Sequence, residues 1–245
     1  MSEIALVTAG EMGAAVGAQL VGAGHRVRWL PAGRSEASRA RADAAGLEAV
    51  ERLPDSTEVL LSICPPAAAR QVASQFASLD VVYVDANAVA PATVRSLRVA
   101  HLVDGGIVGG PPTADSGPRL YLSGERADAV AALFEATTVQ TRVLGPDVGT
   151  ASAMKACYAA WTKGSAALLL DVARLADALE VAEPLRAEWE QSLPGLPERL
   201  AAAERSATTK GWRWVAEMQE IAETFASSGL PDGFHRAAAE VFGQP

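Results

Sequence analysis

Cysteine is scarce in this chain, standing only at positions 64 and 157. Two thiols are too few for a disulfide framework, and they lack the C-x-x-C spacing of a zinc or redox site, so both are expected as small apolar fillers. Positive charge is also short: 21 Lys and Arg face 29 Asp and Glu, a formal net charge of −8. No Lys/Arg run or basic-aromatic interleaving occurs, which excludes duplex or single-stranded nucleic acid as an expected partner. His235 has no neighbouring His, Cys or Asp at metal spacing, so no metal is expected. An uninterrupted apolar span is missing too, because the most apolar stretch, about residues 151–170, contains Lys155 and Lys163, and no membrane association is expected. The opening Met1-Ser2-Glu3 leads into a strand without the basic and apolar regions of a secretory signal, and the expectation is a cytoplasmic protein. What the chain has in quantity is hydrophobic residues, 49% of 245, enough for one large domain or two unequal ones.

Up to about residue 145, short β-branched runs alternate with Ala-rich helical stretches, which predicts βαβ units and a largely parallel sheet. Strands are expected at 4–7, 27–30, 59–63, 82–85 and 102–103, with later ones near 120–123 and 141–144. Helices are expected at 36–45, 67–77 and 91–97, the last opened by Pro91. After Gly145-Pro146 strands do not return. Residues 151–179 are nearly free of breakers, and Pro184 and Pro194-Gly195-Leu196-Pro197 punctuate further helices at 198–210, 212–227 and 234–241. The fold class is therefore α/β: a Rossmann-type doubly wound domain over 1–146, then a long interdomain helix and a small all-α C-terminal domain over 147–245. So small a helical domain has little core of its own. Trp212, Trp214, Val215, Met218, Ile221 and Phe225 put more apolar surface on one helix than a single face needs, which predicts a homodimer through the C-terminal helices; intramolecular packing is the competing reading.

The first strand opens into Thr8-Ala9-Gly10-Glu11-Met12-Gly13, a strand-turn-helix suited to a dinucleotide. Gly10 lets the backbone approach a pyrophosphate, Gly13 lets the helix pack on the strand, and the N–H groups at Gly10, Glu11 and Met12 face the phosphates. Thr8 occupies the place of the first of the usual three glycines, so the motif is incomplete and a ligand-free turn is the alternative. After the second strand the ribose-binding acid of NAD-preferring folds is absent; Pro31-Ala32-Gly33-Arg34-Ser35 stands there instead, with Arg39 and Arg41 behind. Arg34 can grip a phosphate bidentately and Ser35 can donate a hydroxyl, so NADP(H) is expected over NAD, against the plainer reading of a solvated loop cation. Cys64-Pro65-Pro66 and Asp85-Ala86-Asn87 follow two further strands, and their loops are expected to touch the same cofactor.

Hydride transfer asks the protein for cofactor placement and for one proton-exchanging group. Lys155, Tyr158 and Thr162 share a helix face in a stretch otherwise made of Ala, Met, Cys and Trp. An ammonium among apolar side chains is destabilised, which suits proton exchange near neutral pH. A snorkelling surface lysine and a core tyrosine are the competing readings. Trp212, Trp214, Met218 and His235 are candidates for the substrate side, with core packing as the alternative. The stretch from Pro111 to Pro118 reads as a gating loop or as a plain turn.

Gly149-Thr150-Ala151-Ser152-Ala153-Met154-Lys155 resembles the G-x-G-x-x-x-K segment of the β-hydroxyacid dehydrogenase and 6-phosphogluconate dehydrogenase superfamily. Gly10-Glu11-Met12-Gly13 is similar to that superfamily's G-x-M-G turn, Asp85 to Pro91 to its D-x-S-T-x-x-P motif, and Asp104 to Gly110 to its D-A-P-V-S-G-G. The end of the chain, around Trp212 to Met218, resembles the short helical C-terminal domain of an uncharacterised branch. The resemblance implies Lys155 as general acid/base and Gly109 and Gly110 offering backbone N–H groups to the substrate; Tyr158, from its place on the same helix face, is the candidate to take over part of the hydrogen bonding of the superfamily's asparagine. It also marks departures: Asn87 and Val108 replace serines, and Ala159 an asparagine. Asn87, Val108, Gly109, Gly110, Trp212 and His235 are thus the expected substrate contacts, in a more apolar site than the superfamily's.

Together these readings imply an NADPH-dependent oxidoreductase acting on a carbonyl or hydroxyl group of a small molecule. Two rivals share the architecture: an imine reductase, and a nucleotide-binding protein without turnover.

Overall fold

The computed structural model describes residues 1–244, with the side chains of all but Lys210. By contacts the chain divides into Met1–Lys155 and Ala156–Pro245, and each unit is described by itself.

The first unit is built on an eight-stranded sheet: β1 (Glu3–Leu6), β2 (Arg26–Trp29), β3 (Glu48–Ala49), β4 (Val59–Ser62), β5 (Val82–Asp85), β6 (Val103–Val108), β7 (Arg119–Ser123) and β8 (Gln140–Val143). The order is β3-β2-β1-β4-β5-β6-β7-β8; all neighbours run parallel except β6 and β7. The helices are α1 (Glu11–Gly22), α2 (Glu36–Ala44), α3 (Ala69–Gln75), α4 (Pro91–Arg95) and α5 (Ala127–Ala132).

Successive strand residues point to opposite faces, and both faces are covered. Ile4 and Leu6 of β1, Val59 and Leu61 of β4 and Val84 of β5 join one core with Val16 and Leu20 of α1 and Val130 of α5. Ala5, Val7, Leu60 and Tyr83 join the other with Val72 of α3 and Val94 of α4. This is the doubly wound α/β arrangement that the alternating pattern predicts.

Two departures have local causes. β3 has only two residues, both exposed, so it carries no hydrophobic pattern to detect. β6 runs on through Gly105-Gly106 to Val108, where the glycine pair reads as a break. A Cβ on Gly106 would lie 2.8 Å from the Ala151 carbonyl oxygen and 3.1 Å from the Lys155 Cβ. These glycines keep the strand thin where a helix crosses it.

The second unit is helical. α6 (Thr150–Ala178) leads into α7 (Ala182–Ser192), α8 (Leu196–Ser227) and α9 (Gly233–Gly243). Leu169 and Leu170 of α6, Trp189 of α7, Met218 and Ile221 of α8, and Val241 and Phe242 of α9 share one core. The Trp214 and Phe242 rings meet edge to face at 5.0 Å. Residues 198–227 form one helix where the sequence suggests two. Gly211 does not interrupt it; a Cβ there would stand 3.3 Å from the Phe242 carbonyl oxygen, so the glycine admits α9 rather than ending α8.

A Cβ on Gly13 would lie 2.4 Å from the Thr8 carbonyl oxygen. Gly13→Ala is expected to cost about 1–3 kcal/mol as α1 is pushed off β1, read in urea unfolding; wild-type stability in that variant would contradict this packing.

Candidate functional site

The C-terminal ends of β1, β2, β4, β5 and β6 lie along one edge of the sheet, where open parallel sheets bind ligands. At the first of them, the Thr8 hydroxyl donates to the Ile63 carbonyl oxygen at 2.5 Å, tying the turn after β1 to the segment after β4. Among the described non-glycine residues only His101 and Glu180 have positive φ, so the threonine fits its place without left-handed backbone. Gly10 is the N-cap of α1 in extended conformation, with no side-chain cap. A Cβ there would meet no atom within 4 Å, and the first N–H groups of α1 are left to a ligand or to water. Glu11 is exposed and Met12 half-buried, Met12 packing against the core.

Beyond β2 three arginines gather. The Arg34 Nη2 reaches the Val7 carbonyl oxygen at 3.5 Å, while its Nε is buried and lacks a hydrogen-bond partner. Arg41 donates from Nε to the Ala9 carbonyl oxygen at 3.1 Å and from Nη2 to the Ser38 hydroxyl. Arg39 donates to the Pro31 carbonyl oxygen at 2.9 Å. Ser35 is the N-cap of α2, its Oγ accepting from the Ser38 N–H at 3.3 Å; the hydroxyl hydrogen remains available to an acceptor. Two arginines therefore brace the turn after β1, and Arg34 retains unmet hydrogen-bonding capacity.

Next along the edge is a buried polar network. Asn87 donates from Nδ2 to an Asp85 carboxylate oxygen at 2.8 Å and to the Ser62 hydroxyl at 3.3 Å. It accepts from the Cys64 N–H at 2.5 Å. The Asn87 amide is thus spent on binding the loop after β4 to the loop after β5, and its side chain is buried. Burial pushes the Cys64 thiol up to about 11, leaving it protonated and a poor nucleophile. Pro65 is exposed and Pro66 opens a short 3-10 turn, Pro66–Ala68.

Near the start of β6, level with the end of β5, the chain fastens α6. One Asp104 carboxylate oxygen accepts from the Gly149 and Ser152 N–H groups, both at 2.9 Å, and from the Ser123 hydroxyl at 3.1 Å. The other accepts from the Ser152 hydroxyl at 2.5 Å. A fully buried carboxylate is tolerable because four donors meet it at a helix N-terminus. Gly149, at φ +99°, makes the entry to this helix.

One turn further, Lys155 projects from α6 with its Cβ against Gly106, close enough to Asp85 for its charge to favour the ionised carboxylate there. Asp85 is nevertheless raised to about 7, first by burial, with Asp104 adding in the same direction and the Asn87 hydrogen bonds and Lys155 opposing. Val108 is buried. Gly109, at φ +124°, could not carry a Cβ without meeting Pro118, and Gly110 has open space around it.

The structure thus brings Gly10, Arg34, Cys64, Asn87, Gly109 and Lys155 into one unit. Three candidates lie in the other. Tyr158 is exposed. Trp212 is exposed too, with Arg213 over its ring at 5.4 Å. His235 is buried against Phe225, ring centroids 4.4 Å apart; its Nδ1 has no partner, and burial lowers its pKa. The stretch from Pro111 to Pro118 is pinned as a turn: the Thr113 N–H donates to the Ser116 carbonyl oxygen at 2.7 Å, and Gln19 bridges the Thr113 carbonyl oxygen and Thr138. Among the described residues no group of three His, Cys, Asp or Glu could hold a metal ion, and no helix is long and apolar enough to cross a membrane.

Sequence reasoning passed over Asp104, Ser123 and Ser152. Their signal is an acid inside an otherwise apolar strand, followed much later by a serine in the first turn of an apolar helix; buried acids need donors.

Residues 176–244 match the family described as Domain of unknown function (DUF1932). An uncharacterized 28.5 kDa protein from Methanothermus fervidus is 29% identical over 161 residues, 62% of this chain and 62% of the relative. The match therefore spans less than two thirds of either protein. Among solved structures, Mycobacterium tuberculosis 3-hydroxyisobutyrate dehydrogenase with L-serine superposes at TM-score 0.73, with 18% identity over 99% of this chain and 93% of that one. A reductive aminase from Aspergillus terreus, in complex with NADPH and ethyl-5-oxohexanoate, gives 0.61 with 17% identity over 99% and 93%. The chain has the fold these enzymes share, as the resemblance in its motifs implies.

With a pKa of about 7 when folded against the ordinary 3.8 of an aspartate, Asp85 holds a proton in the native state that the unfolded chain has lost. Its contribution is full below pH 4 and is lost as pH rises through 7. Asp85→Asn should gain on wild type by about 1–3 kcal/mol between pH 5 and pH 8 in paired urea unfolding; a difference independent of pH would contradict the buried-proton assignment.

Proposed function

We propose that this protein is an NADPH-dependent oxidoreductase acting on a carbonyl/hydroxyl couple, with Lys155 as general acid/base. The observation that carries this reading is the convergence, on one sheet edge, of an uncapped helix N-terminus, an arginine with an unpartnered buried nitrogen, and a lysine whose charge acts on the buried Asp85 carboxylate. The fold shared with a dehydrogenase and an NADPH-bound reductive aminase supports a nicotinamide cofactor.

The residues present fit such a group. Gly10 leaves room where a Cβ would crowd a diphosphate, and the N–H groups of Gly10, Glu11 and Met12 would hold it with Gly13 securing the turn. Arg34 and Ser35 would take the 2′-phosphate, giving NADP(H) preference over NAD(H). The segments at Cys64-Pro65-Pro66 and Asn87 would bound the cofactor through backbone and proline surface, since the Asn87 amide is engaged in the fold. NADPH, when bound, supplies the hydride.

The chain's own work is proton exchange and orientation. A protonated Lys155 donates from Nζ to the substrate oxygen during reduction, and the neutral amine takes the hydroxyl proton during oxidation. Gly109 and Gly110 would present backbone N–H groups to the substrate. Val108 and Ala159, apolar where the superfamily places polar residues, would favour a less polar substrate. Tyr158 would replace part of the missing asparagine, and Trp212 and His235 are the remaining substrate-side proposals. The same reading makes the protein a cytoplasmic homodimer of a cofactor domain over 1–146 and a helical domain over 147–245. An imine reductase of the same architecture is the second reading, supported by the fold shared with the reductive aminase; a panel of ketones, β-hydroxy acids and cyclic imines separates the two. A silent binder would take up NADPH and turn over none of the panel.

In that panel, Lys155→Met should lose roughly 10²–10⁴-fold in kcat with the Kd for NADPH unchanged, and Tyr158→Phe should lose less. Arg34→Ala should weaken NADPH binding by about tenfold or more while sparing NADH. A fully active Lys155→Met would remove the proposed acid/base, and equal losses for both cofactors would remove the 2′-phosphate contact.

A further inference from the structure

β5 and β6 run parallel with Asp85 level with Asp104, so the two acids point to the same face of the sheet. Alternation along the strands fixes which face. Tyr83 of β5 packs in the core with Val72 of α3 and Val94 of α4, whereas Val84, Val103 and Ile107 pack in the other; Asp85, Asp104 and Gly106 therefore share the side of α3 and α4. The first turns of α6 cover that side. The Ser152 N–H and hydroxyl reach Asp104, and Lys155 brings its Cβ over Gly106, two residues further along β6. Adjacent strands lie about 4.8 Å apart, which puts the Asp85 carboxyl and the base of the Lys155 side chain on neighbouring strands of one covered face.

The two acids are supplied very differently. A carboxylate has about four acceptor positions, and four donors meet Asp104. Among the described residues only Asn87 donates to Asp85, from its backbone N–H at 3.3 Å and from Nδ2 at 2.8 Å. Asp85 is just as deeply buried. Half of its accepting capacity is left over in a place closed to water, and such a carboxylate needs either a cation or a proton. The other ionisable groups that act on it bring no positive charge: Asp104 is an acid, and the Cys64 thiol and the Tyr83 phenol are both pushed up by burial and stay neutral. Arg34 acts on Cys64. Lys155 is the cation whose charge reaches Asp85.

We propose that Asp85 is the positioning residue of Lys155: its carboxylate is the counter-charge that orients the lysine Nζ, and the two groups take up and release protons as one coupled site. The proposal rests on the acid/base reading of Lys155 above and names what sets that lysine's protonation. The Asp85 carboxyl ionises as pH rises through about 7. From there its negative charge holds the Lys155 proton to higher pH than the apolar stretch of α6 alone would allow. Loss of the acid's proton thus comes first and makes loss of the lysine's proton harder. During reduction, the Nζ proton given to the substrate oxygen leaves a neutral amine beside an anion, and that anion favours the return of a proton to Nζ from solvent.

The test is a carbon-13 NMR titration of the full chain labelled at the lysine Cε, without cofactor or substrate. The chain has three lysines, at 155, 163 and 210, so Lys155→Arg identifies the Lys155 signal by removing it. In wild type that signal should move twice, by a small step near pH 7 as Asp85 ionises and by a larger one at its own deprotonation. In Asp85→Asn the small step should vanish and the midpoint of the larger one should fall by about one pH unit or more. Glu217→Gln, which removes the ionic partner of Lys163, should shift the Lys163 signal and leave that of Lys155 in place. A Lys155 midpoint unchanged or raised in Asp85→Asn overturns the pairing. So does a wild-type Lys155 signal with no step near pH 7, a result that needs no variant to fold. If both steps behave as expected and Lys155→Met keeps full turnover in the substrate panel, the acid/base reading fails and the coupled pair stands.

Discussion

The Asp104 carboxylate is the interaction on which the candidate site depends. It is fully buried near the start of β6, level with the end of β5, and accepts four hydrogen bonds, three from the entry to α6 and one from β7. A charge in that position is costly unless every lone pair finds a donor, so the geometry around it has little freedom. The helix start is fixed to the sheet. Lys155 is the residue that benefits, because it stands on the next turn with its Cβ against a strand glycine. The paired strand supplies Asp85, in register with Asp104, and two acids side by side in a closed space account for much of the polar character of this edge.

Around that clamp the remaining parts are set by close approach more than by attraction. Gly13 admits α1 to the Thr8 carbonyl, Gly106 admits α6 to β6, and Gly105 stands 3.1 Å, in terms of a virtual Cβ, from the Ala86 Cβ. The arginines behind the first turn lean on backbone carbonyls, which stiffens the turn and leaves Arg34 incompletely satisfied. Such a surface offers N–H groups and a cation to a phosphate-bearing ligand, and one lysine to a reacting oxygen.

Much of this was legible before any coordinates. The β-branched runs, their alternation with Ala-rich helical stretches and the change of pattern near residue 145 identify the doubly wound domain and the helical end. Gly10, Gly13 and Lys155 stand out because their motifs are local in sequence. What was not legible is what depends on distant partners. Asp104, Ser123 and Ser152 are separated by tens of residues and meet only in the fold. The glycine pair in β6 looks like a turn until α6 is laid across it, and Gly211 looks like a helix end until α9 is. Asn87 reads as a loop residue facing a ligand; its buried amide instead holds two loops together. The aromatic cluster near residue 214 reads in the sequence either as surplus surface or as intramolecular packing; α9 covers most of it, and the exposed apolar side chains are on α6.

The account's central claim is that the edge carrying Gly10, Arg34 and Lys155 is where a nicotinamide cofactor meets its substrate. A crystal structure of the full chain grown with NADPH tests it most directly. The account predicts the pyrophosphate on the first N–H groups of α1, the 2′-phosphate on Arg34, and the nicotinamide C4 within about one substrate's width, roughly 4–6 Å, of the Lys155 Nζ. Density for the dinucleotide elsewhere, or a nicotinamide ring turned away from Lys155, would contradict it.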